Sequence, residues 1–258
     1  MAFINHAAKN LAIKIVYYGP GLSGKTTNLR YLYFKLDPSS RGDLICLETD
    51  TERTYFFDLL PIKAGLIGDF SIRIQLFTVP GQVFYEASRK SVLKRADGLV
   101  FIADSQIPLL DANLESFDGM RKNLLDHDMD LNLMPLVFQY NKRDLDSLIP
   151  VETFNNLLNP NGLPYIEASA INGTGVIETL KEIVKLTIPP VSKKVFEKEE
   201  EKKEEVEKEE PKKKKEVEFA FSGKVTPVTL KKIKIESQDD INNEIDKLTK
   251  EFTEESEE

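Results

Sequence analysis

Gly19-Pro20-Gly21-Leu22-Ser23-Gly24-Lys25-Thr26 sets two glycines around four residues and follows them with Lys and Thr, the spacing of a phosphate-binding loop. Three glycines let the backbone curl with its N–H groups pointing inward, and a helix starting at Lys25 adds the positive end of its dipole to the same hollow. In such a loop Lys25 reaches the outer phosphates as a point charge, and the Thr26 hydroxyl takes one position on a magnesium ion. Gly19, Gly21, Leu22, Ser23, Gly24, Lys25, Thr26 and Thr27 are therefore the candidate phosphate-binding residues.

A second cluster lies more than a hundred residues on. Asn141-Lys142-Arg143-Asp144 supplies what a guanine pocket needs, because Asp144 can accept hydrogen bonds from the guanine N1–H and exocyclic amine, and adenine offers neither. Lys142 can lay its alkyl stem over the base, and Asn141 can brace both the phosphate loop and the base edge. In Ala168-Ser169-Ala170, Ser169 and Ala170 complete the pocket, with a backbone N–H near Ala170 directed at the guanine oxygen. Outside such a context, Asn-Lys-x-Asp is an ordinary charged turn.

The elements that must hold these residues follow from periodicity. Residues 11–18 form a largely buried strand running into the phosphate loop, and Leu29, Leu32, Tyr33 and Leu36 follow at helical spacing. Further strands are expected at 44–47, 70–79, 98–104, 136–140 and 163–167. Ile72, Ile74 and Leu76 alternate with Arg73, Gln75 and Phe77, while 98–104 is the continuous apolar run of a strand buried on both faces. Helices are expected through Phe84 to Arg95, through Leu110 to Leu125, and from about Gly175 to Thr187, the last closing before Pro189-Pro190. Read alone, 48–58 is a surface loop or the start of a helix or strand. Alternating strands and helices give an α/β, three-layer P-loop NTPase sandwich, with a mostly parallel sheet of about six strands and its ligand at their carboxyl ends.

The chain has 258 residues and a net charge of −8. Residues 193–258 hold 16 Lys and 21 acidic residues, so the charge divides as −3 upstream and −5 in the tail. That balance argues against nonspecific nucleic-acid binding. The single cysteine, Cys46, sits among apolar neighbours and reads as a small buried hydrophobe. Asn5, His6, Lys9, Asn10 and Lys14 break up the apolar residues near the start, leaving no signal or membrane span, and no lipidation motif is present. A cytoplasmic protein without a direct membrane anchor is expected, with any attachment to a pole made through partners.

With these residues in place, residues 1–188 or so resemble the Ras-like small GTPases, and within them the MglA family of bacterial gliding-motility and cell-polarity GTPases. The resemblance rests on Val16-Tyr17-Tyr18-Gly19-Pro20-Gly21, Arg53-Thr54 with Phe56-Phe57-Asp58, Thr78-Val79-Pro80-Gly81-Gln82-Val83-Phe84-Tyr85 and Asn141-Lys142-Arg143-Asp144. It implies that the chain binds and hydrolyses GTP to GDP with Mg2+ as cofactor. It further implies that Thr54 joins Thr26 as a metal ligand when the γ-phosphate is present, and that Gly81 offers its N–H to that phosphate. Gln82 would orient the attacking water, and Arg53 would act as an arginine finger carried in cis. The partner implied is a dimeric roadblock-type, MglB-like activator that arranges the switches, alongside state-specific effectors and an exchange factor.

Thr78 departs from the broader Ras pattern, where an aspartate begins this motif. A neutral dipole replaces a negative charge near magnesium, so the metal is held more weakly or by another carboxylate that the sequence leaves unidentified. Two other readings stay open: a nucleotide-dependent scaffold with negligible hydrolysis, and a P-loop ATPase or small-molecule kinase.

The domain reading is a GTPase domain at 1–192 and a charged tail at 193–258. Residues 193–218 are almost wholly Lys and Glu, which makes them a linker or a solvated helix. Ile241, Ile245, Leu248 and Phe252 lie on one helical face, giving an amphipathic docking helix at 239–253 that folds on a partner, or filler without structure.

Overall fold

The computed structural model of the chain describes residues 3–5, 8–48, 55–81, 85–203 and 231–234. Its centre is β2 (Asn10–Tyr18), parallel to β5 (Phe70–Thr78) on one side and to β6 (Gly98–Asp104) on the other. Beyond β6 lie β7 (Leu136–Asn141) and β8 (Tyr165–Glu167), both parallel. Beyond β5 the sheet turns antiparallel through β4 (Tyr55–Ile67) and β3 (Ile45–Glu48). A short β1 (Phe3–Asn5) pairs antiparallel with β2, and β9 (Lys231–Lys234) pairs parallel with β3, completing a sheet of nine strands among the described residues.

Both faces of the sheet are covered, which is why β2 is buried along its whole length. Leu11, Ile13, Ile15 and Tyr17 face one core, against Leu29 and Leu32 of α1 (Lys25–Lys35) and Leu180 and Ile183 of α5 (Val176–Lys203). Val16 and Tyr18 face the other, with Val92 of α2 (Glu86–Leu93), Met120 of α3 (Leu110–Leu125) and Phe154 of α4 (Val151–Leu157). This is the three-layer arrangement that the alternation of elements predicts.

Several features depart from the sequence reading, the short strands β1 and β9 among them. The stretch around 48–58 runs into a 13-residue strand, β4, and supplies a strand the six-strand count omits. Pro61 is tolerated within it because the Pro61 carbonyl accepts from Gly42 N on the β3 side, so the missing proline N–H faces the same way, past the end of the β3 ladder at Leu59. The register irregularity between Lys63 and Leu66 falls at Gly65, whose φ of 89° suits a bulge. α5 does not close before Pro189-Pro190 but continues to Lys203. Both prolines are on the exposed side, where water can satisfy the carbonyls four residues back that lose their helical donors. α4 also lies outside the sequence expectation. The proposed helix at 239–253 lies outside the described residues.

β2, β5, β6, β7 and β8 all end at one edge of the sheet, and the chain leaves β2 to both sides. That is the switch point at which an open parallel sheet places its ligand.

Candidate nucleotide and magnesium site

The phosphate loop connects β2 to α1 in a conformation that needs its glycines. Gly24 has φ 99° and caps α1; a Cβ there would strike the Asn141 amide. A Cβ on Gly19 would strike the carbonyl of Ile102, and one on Gly81 would strike Gly21. Leu22 also takes a left-handed conformation, φ 60°, with its side chain 91 % exposed. α1 has no side-chain cap and no acidic residue in its first turn, so its leading N–H groups have no competing protein carboxylate on their own helix.

Lys25 is buried, and its ammonium donates to the carbonyls of Gly19 at 2.9 Å and Pro20 at 2.6 Å. Burial lowers its pKa to about 7; the nearby Asp58 carboxylate opposes that shift, and Arg89 adds to it.

A buried carboxylate stands beside the loop. Asp58 comes from β4 opposite the end of β5, and its Oδ2 accepts the Thr26 hydroxyl at 2.7 Å and the Thr78 hydroxyl at 2.9 Å. The Asp58 N–H in turn donates to Thr78 Oγ1 at 2.9 Å. The other oxygen, Oδ1, is buried without a hydrogen-bond partner. Thr78 thus carries a carboxylate where the broader family pattern has one of its own. Among the described residues no group of three or more His, Cys, Asp or Glu could hold a metal. Magnesium does not need one, because it favours one or two carboxylates supplemented by hydroxyl, water and phosphate oxygens. Thr26, with Asp58 beside it, fits that donor set.

On the base side, Asn141 is the clasp. Its Nδ2 donates to the Ser23 carbonyl at 2.7 Å and its Oδ1 accepts from Ala170 N at 2.8 Å, so one buried side chain ties the phosphate loop to the loop after β8. The Ala170 N–H expected to face a base oxygen is committed to Asn141. Lys142, at φ 66°, turns its ammonium onto the fully buried Asp104 at 2.6 Å, leaving its stem half-exposed. Asp144 is exposed at the mouth of the same turn, Ser169 is buried, and Thr27 is exposed on α1. Arg143 fastens the turn, reaching Glu167 at 2.9 Å and the Ile149 carbonyl at 2.8 Å. Arg53, Thr54 and Gln82 lie outside the described residues.

A buried chain of amides and hydroxyls supports the loop from behind. Thr179 Oγ1 and Asn28 Oδ1 both accept from Gln139 Nε2 at 2.9 Å, and Asn28 Nδ2 donates to the Gly24 carbonyl at 2.9 Å. Neither Asn28 nor Gln139 figured among the sequence candidates. The signal available was a polar residue inside an apolar strand, Gln139, and another on the apolar side of α1. Asp58 closes the Phe56-Phe57-Asp58 stretch and Asp104 closes an apolar run, positions that by themselves announce no role.

No helix among the described residues is long and apolar enough to cross a membrane. No family model matches the chain. Over 193 residues the chain is 51 % identical to the mutual gliding-motility protein MglA of Myxococcus xanthus (strain DK1622), a span covering 75 % of this chain and 99 % of that protein. With the phosphate loop, the Asn-Lys-x-Asp turn and the P-loop sheet in their places, the chain belongs to the MglA family of small Ras-like GTPases.

Proposed function

We propose that this chain is a molecular switch that hydrolyses GTP to GDP, with residues 1–192 as the GTPase domain and 193–258 as an appended tail. The observation that carries the reading is the meeting of Lys25, Thr26, Asp58 and Thr78 where β2 and β5 end and β4 begins beside the loop. Lys25 and the loop amides bind the phosphates. Thr26 holds Mg2+, which supplies charge neutralisation to the phosphate oxygens, and Asp58 provides the negative charge that Thr78 lacks. Asn141, Lys142 and Asp144, with Ser169 and Ala170, form the guanine pocket.

Arg53, Thr54 and Gln82 keep the roles that the family implies: charge neutralisation in cis, second metal ligand in the GTP state, and orientation of water. Hydrolysis is slow alone and is stimulated by a roadblock-type dimer that arranges the switches. The name of the Myxococcus xanthus relative supports an output in gliding motility, with recruitment to cell poles through partners.

Single-turnover phosphate release from GTP, with and without the activator, tests the reading. Stimulated release that Arg53→Ala abolishes supports it; no release in either condition favours the nucleotide-dependent scaffold, for which Thr78 is the sequence argument. ATP competing as well as GTP for the site would remove the guanine assignment.

A further inference from the structure

Without its tail this sheet would end at β3, whose sequence Ile45-Cys46-Leu47-Glu48 is largely apolar. A strand of that kind, with one side unpaired, is a template for any extended segment. The sheet does not end there. Lys231–Lys234 runs parallel to it in register, pairing Ile45 with Lys231, Cys46 with Lys232, Leu47 with Ile233 and Glu48 with Lys234. Three of the four residues of this new outer strand are lysines, the residue type that discourages addition of a further strand.

The ladder stops at Glu48, whose register partner is Lys234, directly before residues 49–54 in the chain. Opposite charges on neighbouring strands favour pairing. Residues 204–230 join α5 to β9, and at about 3.3 Å per residue they span more than the width of a domain, so a strand from the same chain can reach. The match to the Myxococcus xanthus protein leaves a quarter of this chain without a counterpart there.

We propose that the outer edge of β3 is a strand-docking site and that residues 231–234 of the same chain occupy it. The tail is then an intramolecular latch on the edge that leads into residues 49–54, the stretch that holds Arg53 and Thr54. Any partner that adds an extended segment to this edge must first displace it.

The test uses the full chain. Cys46 is its sole cysteine and is the register partner of Lys232. Under mild oxidation, Lys232→Cys should form an intramolecular disulfide with Cys46, and Ile233→Cys, one residue out of register, should form at least about 5-fold less. Equal yields from the two variants would overturn the register, and a disulfide-linked dimer would overturn the assignment to the same chain. Independently of cysteine access, the double variant Lys232→Pro/Ile233→Pro should speed amide hydrogen exchange in 45–48 by about 10-fold, because successive N–H groups point to opposite sides of a strand and one of the two must be a ladder donor. Unchanged exchange there would overturn the docking.

Discussion

Asp58 and Thr26, 32 residues apart in the chain, are joined by a 2.7 Å hydrogen bond from the threonine hydroxyl to the aspartate Oδ2. The bond crosses from a strand edge to the first turn of the phosphate-loop helix. It places a buried carboxylate beside the hydroxyl that binds magnesium throughout P-loop enzymes. The same oxygen holds Thr78, so the substitution that looks like a lost charge in the sequence is answered from the neighbouring strand.

Asp58→Asn keeps the shape of the side chain and removes its charge. The concentration of Mg2+ needed to slow release of a fluorescent GDP should rise by about 10-fold or more, the range seen when a supporting group around a metal is lost. A Mg2+ titration of release that superimposes on that of the wild type would exclude Asp58 from the metal site.

Lys25 titrates at about 7 in the free protein because it is buried. A bound phosphate favours the charged ammonium, so the pKa rises on binding. Between the free and bound values, binding must take up a proton, and affinity for GDP should fall as pH increases above 7. Calorimetry at pH 8 in two buffers of different ionisation enthalpy should show that uptake. For stability the sign runs the other way. The folded pKa lies below the ordinary lysine value of 10.5, so the unfolded chain holds more protons between about 7 and 10.5, and this group makes the free protein more stable as pH rises through that window.

Asn141→Ala removes both ends of the clasp and leaves the Ser23 carbonyl and Ala170 N–H without their partner. A loss of about 2 kcal/mol in urea unfolding is expected, from unsatisfied buried groups. Nucleotide release should accelerate as well, since the two loops are no longer tied.

Gln139→Leu acts from a greater distance. It strands the Asn28 carbonyl oxygen, and Asn28 is the residue that holds Gly24. Stability should fall by about 1 to 3 kcal/mol, with faster GDP release at unchanged guanine over adenine preference. Weakened discrimination between the bases would place Gln139 in the base pocket instead.

Much of the site was legible in the linear chain because local geometry dictates it. Gly19, Gly24, Lys25 and Thr26 are close in sequence, and their backbone conformation depends on residue type and on the helix that follows. Asn141-Lys142-Arg143-Asp144 is likewise a short turn at a strand end, and apolar runs such as β6 announce burial on both faces. β4 was not legible. Pro61 and Gly65 interrupt its pattern, and only pairing with β5 and the position of the β3 ladder make them acceptable.

The sequence by itself thus determined the glycine-rich loop, the Asn-Lys-x-Asp turn and the parallel sheet that sets them at one edge. Tertiary structure alone decided which carboxylate stands beside Thr26, which acid holds Lys142, and which amides brace Gly24. Those choices are made by cross-strand register and by helix packing, which bring together Asp58 with Thr78, Lys142 with Asp104, and Gln139 with Asn28. No spacing along the chain encodes them.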